Sequence, residues 1–250
     1  MEEQRAAFIE RRHCISCGSN RLDELAGGRF GDEPLRTFLD RDPWGTSPLP
    51  YIENERWAYV RCTACGQTFH KRVLAPAWNE RRFSEWMSES AIRQFSAHAD
   101  TPAHRFAKGR EHVQHVLRIE KMTRALRGGQ EVRILDFGCG FGDFLAVCER
   151  FGFVCCGIDR SPARRQGGQV HIVSDIEDLP ASMRFHAITL FEVLEHLDAP
   201  LAALQSLHAL MLPDGVLFLE TPDCSNVTDI RTERDYRKIH PLDHINAYTP

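Results

Sequence analysis

The stretch Ile134-Leu135-Asp136-Phe137-Gly138-Cys139-Gly140-Phe141-Gly142-Asp143 decides the fold of this chain. Its apolar first residues predict a buried strand, and Asp143-Phe-Leu-Ala-Val-Cys-Glu-Arg150 predicts a helix. The three glycines between them form a turn in which backbone can approach a ligand without interference from Cβ atoms. Sixteen residues after Asp143, Asp159 ends a second apolar run, residues 153–158. A carboxylate at such a strand end can accept both hydroxyls of a ribose. Together these features predict a nucleoside-binding β-α-β unit.

The glycine spacing separates two kinds of nucleoside. Dinucleotide folds carry G-x-G-x-x-G, with the third glycine where this chain has Asp143. At a helix N-terminus Asp143 repels the pyrophosphate that the helix dipole otherwise attracts. A cofactor with a ribose and no phosphate fits better. Further along come Gly157-Ile-Asp159, Ser174-Asp-Ile-Glu-Asp-Leu-Pro180, Phe185-His-Ala-Ile-Thr-Leu-Phe-Glu-Val-Leu-Glu-His-Leu197 and Leu212-Pro-Asp-Gly-Val-Leu-Phe-Leu-Glu220.

Taken in order with the glycine loop, these segments make residues 130–250 resemble the class I S-adenosylmethionine-dependent methyltransferases. The resemblance implies an α/β fold with a doubly wound, mostly parallel, Rossmann-like sheet. It implies S-adenosylmethionine as cofactor, with contacts from Asp136, Gly138, Cys139, Gly140, Asp159 and Arg160. Asp175 and Ile176 would reach the adenine, and Phe191 would line the pocket. Strands are read near 132–137, 153–158, 169–173, 185–191 and 216–220, with helices between them. The family pattern adds a helix and two strands where this chain stops at Tyr248-Thr-Pro250, so a C-terminally shortened sheet or a fragment is expected.

The 250 residues suffice for one large domain or a medium one plus a small one. An apolar fraction of 42% and a charged fraction of 26% are those of a soluble globular chain. The net charge of −4 gives no global field for holding nucleic acid, although local basic patches remain open. Met-Glu-Glu-Gln-Arg lacks a signal-peptide pattern and no 18-residue apolar run exists, so a cytosolic location and no membrane partner are expected.

In a reducing compartment, paired cysteines point to metal before disulfide. Cys14/Cys17-Gly18 and Cys62/Cys65-Gly66 form two Cys-x-x-Cys-Gly units, a complete tetrahedral shell for one structural Zn2+. The strand-like Arg56-Trp-Ala-Tyr-Val-Arg61 before the second unit suits a zinc ribbon, with His70 a spare ligand. Residues 18–61, with Pro34, Pro43, Pro48 and Pro50, read mostly as loop. Their Trp44, Tyr51 and Trp57 could cover an active site or form a small aromatic core. Residues 76–128 read as helical, with an apolar stripe of Val113, Val116, Leu117, Ile119, Met122 and Leu126 ending at Gly128-Gly129. His98, His104, His112 and His115 show no partner pattern there and read as solvated or core histidines. The expected organisation is a ribbon at 1–75, a helical linker at 76–128 and the cofactor-binding domain at 129–250.

The chemistry concentrates in Glu192-Val-Leu-Glu195-His196. A helix starting near Glu192 would place Glu192, Glu195 and His196 on one face at the mouth of the cofactor pocket. His240-Pro-Leu-Asp243-His244 would return to that mouth. Small-RNA 2′-O-methyltransferases and some quinone-ring O-methyltransferases resemble this region. In them such residues hold a divalent cation, which here implies Mg2+, Mn2+ or Fe2+ on Glu192, Glu195, His196 and His244. In zinc-carrying sugar C-methyltransferases the equivalent groups act as acid and base, which implies that role for His196, Asp243 and His244. The expected function is methyl transfer to a hydroxyl or carbon of a small molecule or sugar. An RNA 2′-O-methyltransferase and a non-catalytic protein with an interaction ribbon stand as alternatives.

Overall fold

The computed structural model describes residues 5–42, 44–87, 90, 91, 94, 97, 101–124, 131–161, 170–227 and 230–249. Pro43, His98, Leu126 and Gly128-Gly129 lie outside the described residues, as does residue 169 at the start of the expected third strand. The chain forms two units. One comprises residues 1–97, 195–201 and 221–250; the other comprises 98–194 and 202–220. This division differs from the three consecutive segments expected, because residues 195–201 and 221–250 build onto the N-terminal unit.

In that first unit, strands β2 (Leu22–Arg29), β3 (Arg56–Cys62), β4 (Thr68–His70) and β11 (Asn246–Ala247) form an antiparallel sheet in the order β11-β4-β3-β2. A separate pair joins β1 (Phe8–Glu10) to β5 (Arg72–Leu74). The segment expected to be mostly loop instead supplies β2 and the short helices α1 (Leu35–Arg41) and α2 (Leu49–Ile52). Its aromatics make a core: Trp57 is buried, and partly buried Trp44 and Tyr51 pack with Trp78 and Trp86. Helix α3 (Pro76–Arg81) runs into a π-helical turn, Arg82–Trp86, which buries Arg82 and Trp86.

Hydrogen bonds explain how distant segments join this unit. The Arg11 side chain is buried; its Nη1 donates to Asn246 Oδ1 at 2.7 Å and its Nη2 to the Asp198 carbonyl at 3.3 Å. Asn246 Nδ2 donates to the Leu197 carbonyl at 2.7 Å. One side-chain pair therefore ties β11 and the 195–201 segment to the N-terminal sheet.

The second unit is a five-stranded parallel sheet in the order β10-β9-β6-β7-β8. Its strands are β6 (Arg133–Phe137), β7 (Val154–Ile158), β8 (Ile172–Val173), β9 (Phe185–Phe191) and β10 (Met211–Glu220). The first six residues of β9 are buried, the pattern of a central parallel strand covered on both faces. β10 starts earlier than expected, and its register shifts between Met211 and Val216, where Asp214 takes a positive φ.

Helices α4 (Pro102–Thr123), α5 (Asp143–Arg150) and α6 (Pro200–Ala209) accompany the sheet, and α4 lies against α5, β9 and β10. α4 buries His115, Val116, Ile119 and Thr123, whereas Leu117 and Met122 are 53% and 55% exposed. The buried stripe is thus narrower than the one read from sequence. Helix α7 (Glu233–Lys238), capped by Thr232, belongs to the first unit. No helix among the described residues is long and apolar enough to cross a membrane.

The β6–α5 turn separates two glycines by their surroundings. Gly138 has φ +80° and a Cβ there would meet Val193 Cγ2 at 2.4 Å, while Gly140 has φ +59° and open space. Gly140→Ala is expected to cost about 1–2 kcal/mol from left-handed strain. Gly138→Ala should lose a further ~1–3 kcal/mol from overpacking. Urea unfolding followed by circular dichroism checks this; equal losses would contradict it.

Candidate functional site

The glycine turn is fastened to the end of β7. The Gly138 and Cys139 amides donate to the Ile158 carbonyl at 2.8 and 3.0 Å. The Gly140 amide donates to Asp159 Oδ2 and the Ser161 amide to Asp159 Oδ1, both at 2.9 Å. Asp159 is buried, and its carboxyl group stands at the carboxyl edge of the sheet, where open α/β sheets bind ligands. One strand over, Asp136 Oδ1 accepts from Thr189 Oγ1 at 2.6 Å. Burial, reinforced by the Asp159 charge, pushes the Asp136 carboxyl up to about 7 against the Thr189 hydrogen bond. Half-buried Cys139 fills the space that a Cβ on Gly157 would need, 2.5 Å from its Sγ, and burial pushes its thiol up.

Asp175 caps the short 3-10 turn Ile176–Asp178, accepting from the Ile176 amide at 2.7 Å, while exposed Arg160 reaches it at 3.5 Å. Phe191 ends β9 and stacks on His115, ring centroids 4.4 Å apart. α5 begins with Asp143 in its first turn. The acidic turn, with the Asp159 carboxylate at the strand end and Asp143 opening α5, fits a nucleoside with a diol and no phosphate.

In the first unit the expected acid/base residues meet. The His196 and His244 rings lie 4.8 Å apart, centroid to centroid. His196 Nδ1 donates to the Asp243 carbonyl and carboxylate, both at 3.1 Å, and His244 Nδ1 donates to the Lys238 carbonyl at 3.2 Å. His196 Nε2 is left facing Glu195 Oε1 at 3.8 Å, and His244 Nε2 lies 4.0 Å from Asp243 Oδ2. Burial lowers the His196 pKa, but the charge and hydrogen bond of Asp243, with Glu195, raise it overall. His244 is pushed down to about 4 by burial, against the opposing charge of Asp243.

The helix expected at Glu192 does not form. Glu192 adopts φ +55°, its amide bonds to the Glu220 carbonyl at 2.9 Å, and only a 3-10 turn follows at Leu194–His196. Left-handed backbone at Glu192 cannot start a right-handed helix. Of the four residues expected to share a cation, Glu195, His196 and His244 bring their ligand atoms within 4.8 Å of one another, and Glu192 is not in that group.

Sequence reading missed Arg82. Its buried guanidinium donates from Nη1 to Asp243 Oδ1 at 2.6 Å and to the Leu242 carbonyl. Burial alone would raise the Asp243 carboxyl, but Arg82 and His196 hold it well below the usual carboxylate range. No local pattern marks an arginine whose partner lies 161 positions away.

The four knuckle cysteines also come together. Cys14 and Cys65 place their sulfurs 3.6 Å apart, as do Cys17 and Cys62, and all four lie within 4.8 Å. A tetrahedral zinc with bonds of about 2.3 Å separates its sulfurs by about 3.8 Å, so the set fits zinc. The Ser16 amide points at Cys14 Sγ at 3.4 Å, and Gly18 and Gly66 close the turns onto the Cys14 and Cys62 carbonyls. His70 takes no part: it is fully buried, donates from Nε2 to the Ile239 carbonyl at 2.7 Å, and is pushed down to about 3 by burial.

Comparison with known proteins adds the following. A family described as methyltransferase domain matches residues 67–250. The ubiquinone biosynthesis O-methyltransferase of Histophilus somni is 29% identical over 126 residues, 44% of this chain and 53% of that protein. Its counterpart from Xanthomonas campestris is 35% identical over 101 residues, 36% of this chain and 42% of that one. The chain spans about half the length of the curated relatives it matches. The crystal structure of Streptomyces venezuelae DesVI matches 52% of this chain and 59% of its own at 22% identity, with a TM-score of 0.41.

The shifted Asp136 has a consequence for stability. The folded chain keeps its proton up to about pH 7, whereas an unfolded carboxyl with the ordinary value of 3.8 has lost it. Its contribution is therefore full below about pH 4 and is lost as pH rises through 7. Asp136→Asn, which cannot ionise, is expected to gain stability relative to wild type between pH 5 and pH 8. Urea midpoints at the two pH values test this; an unchanged difference would contradict it.

Proposed function

The chain belongs to the methyltransferase-domain family, and from that premise we propose that it transfers a methyl group from S-adenosylmethionine to a hydroxyl of a small molecule. The observation that carries the reading is the buried Asp159 carboxylate tied to the Gly140 amide at the carboxyl edge of the parallel sheet. Gly138, Gly140 and Asp159 would hold the cofactor, with Asp136, Cys139, Arg160, Asp175, Ile176 and Phe191 as its further contacts. The cofactor supplies a methyl group bonded to a sulfonium sulfur. The names of the curated relatives favour an oxygen acceptor, and a phenol or a sugar hydroxyl is the first choice.

The residues of this chain then account for the acceptor proton. His196 follows the last residue of β9 by five positions. With Nδ1 bonded to Asp243, it would take the hydroxyl proton at Nε2. Asp243 would stabilise the imidazolium that results, and Arg82 holds Asp243 in place. A second reading places a divalent cation on Glu195, His196 and His244, favoured by their convergence within 4.8 Å. The ribbon zinc on Cys14, Cys17, Cys62 and Cys65 is structural, since four thiolates leave no open position.

Asp159→Ala is expected to weaken S-adenosylmethionine binding by roughly 1.5–3 kcal/mol, the scale of charge-assisted hydrogen bonds. Calorimetry showing no binding by the intact protein would overturn the reading. In a methyl-transfer screen over phenols, sugars and RNA, transfer to a small hydroxyl compound is expected, and His196→Ala should slow it by roughly 10²–10⁴-fold. Unchanged activity on adding chelator selects proton transfer; immediate loss selects a cation, which is assigned to Glu195, His196 and His244 where His244→Ala removes the metal dependence.

Zinc is expected at one equivalent per chain in freshly reduced protein, falling sharply in Cys17→Ser. All four tryptophans lie in the first unit. Metal removal should therefore shift their emission towards that of exposed indole, because binding of such a metal contributes on the order of 10 kcal/mol to folding. Less than about half an equivalent by elemental analysis would argue against the site.

A further inference from the structure

Helix α4 presents Glu111 and His115 one turn apart, and Glu220 closes β10. His115 is buried, and its Nε2 stands 3.4 Å from Glu220 Oε2 and 3.9 Å from Glu111 Oε1. The three ligand atoms lie within 4.8 Å of one another. The group sits at the carboxyl ends of β9 and β10: Glu220 is the register partner of Phe191, on whose ring the imidazole stacks at 25°. The Glu192 amide bonded to the Glu220 carbonyl fixes that strand end.

We propose that Glu111, His115 and Glu220 bind a divalent transition-metal cation at the carboxyl edge of β9 and β10. An ion pair with histidine needs one carboxylate. Here two carboxylates face the same nitrogen, and Lys108 offsets the charge of Glu111 alone, from its exposed side. A dication would draw all three ligand atoms to one point. Octahedral bonds of about 2.1 Å separate neighbouring donors by about 3.0 Å and opposed ones by about 4.2 Å, and the 3.4 and 3.9 Å separations from His115 Nε2 fall in that range.

Placement supports the same conclusion. Glu111 and His115 are four residues apart on one rigid helix face, so two ligands are prearranged by backbone geometry. Phe191 holds the imidazole plane from one side. Lys108 reaches the Glu111 oxygen at 3.5 Å from the exposed surface, and both carboxylates keep access to water. One imidazole and two carboxylates suit Mn2+, Fe2+, Co2+ or Zn2+, unlike the thiolate shell of the knuckles. Three protein ligands leave positions for water or for an oxygen of the acceptor. Use by an acceptor rests on the methyltransferase reading; binding of the cation does not.

The test is a Mn2+ titration of the zinc-replete full chain, read as loss of the free-ion six-line EPR signal. One bound Mn2+ is expected in wild type. Its Kd should rise at least tenfold in His115→Ala and in the near-isosteric Glu111→Gln and Glu220→Gln, and stay unchanged in His244→Ala. No bound Mn2+ at millimolar concentration would overturn the proposal. So would binding that survives the three substitutions but disappears in His244→Ala, which would assign the ion to the Glu195, His196 and His244 group. Cofactor calorimetry on the same samples separates the two ideas: protein that binds S-adenosylmethionine but no Mn2+ sinks the cation site alone.

Discussion

Two buried arginines govern how the first unit is assembled. Arg11 and Arg82 are only 9% and 3% exposed, and a buried guanidinium is tolerated only when charge or carbonyl oxygens surround it. The partners come from far along the chain: Asn246 and Asp198 for Arg11, Asp243 and the Leu242 carbonyl for Arg82. Desolvation pulls the Arg11 pKa down to about 10, with Asp198 opposing the fall. Leaving the Arg82 charge without Asp243 costs about 3–5 kcal/mol, which favours joining of the C-terminal segment to this unit. Pairing of β11 with β4, reinforced by Gln67 Nε2 donating to the Ala247 carbonyl at 2.8 Å, completes that attachment.

The same demand orders the histidine cluster. Arg82 fixes Asp243, Asp243 fixes the tautomer and orientation of His196, and His244 packs edge-on against that ring. A residue required for burial thereby becomes a positioning residue for chemistry. The aromatic insertion has a parallel role. Trp44, Tyr51, Trp78 and Trp86 interlock beneath the Arg82–Trp86 turn, with Arg81 lying 4.5 Å over the Tyr51 ring. Rings packed in this way steady the backbone that carries Arg82.

What could be read from sequence follows the range of the interactions. The parallel sheet was legible because each strand is a short apolar run bounded by turn residues, and the glycine turn is local in sequence. The knuckles were legible because two ligands at three-residue spacing announce themselves twice. β2 was not: Leu-Asp-Glu-Leu-Ala-Gly-Gly-Arg has poor strand propensity and becomes a strand through pairing with β3. The Glu192 helix was misread because periodicity cannot register one left-handed residue. His115 was passed over because one partner, Glu220, is on another element, and Arg82 because its partner is at the far end of the chain.

The acidic character of the glycine turn has a further physical consequence. Asp136 and Asp159 lie on neighbouring strand ends, and Asp143 opens α5. Two of these carboxylates interact strongly enough that the Asp159 charge helps to keep Asp136 protonated. A ligand bearing positive charge near them would draw Asp136 towards its ionised form and gain Coulomb attraction at low local dielectric. A neutral ligand of the same shape would gain neither. S-adenosylmethionine carries a sulfonium charge that its demethylated product lacks. For the proposed cofactor, then, the electrostatics that exclude pyrophosphate also favour the methyl donor over the spent product. The glycines set which shape enters, and the three aspartates set which charge stays.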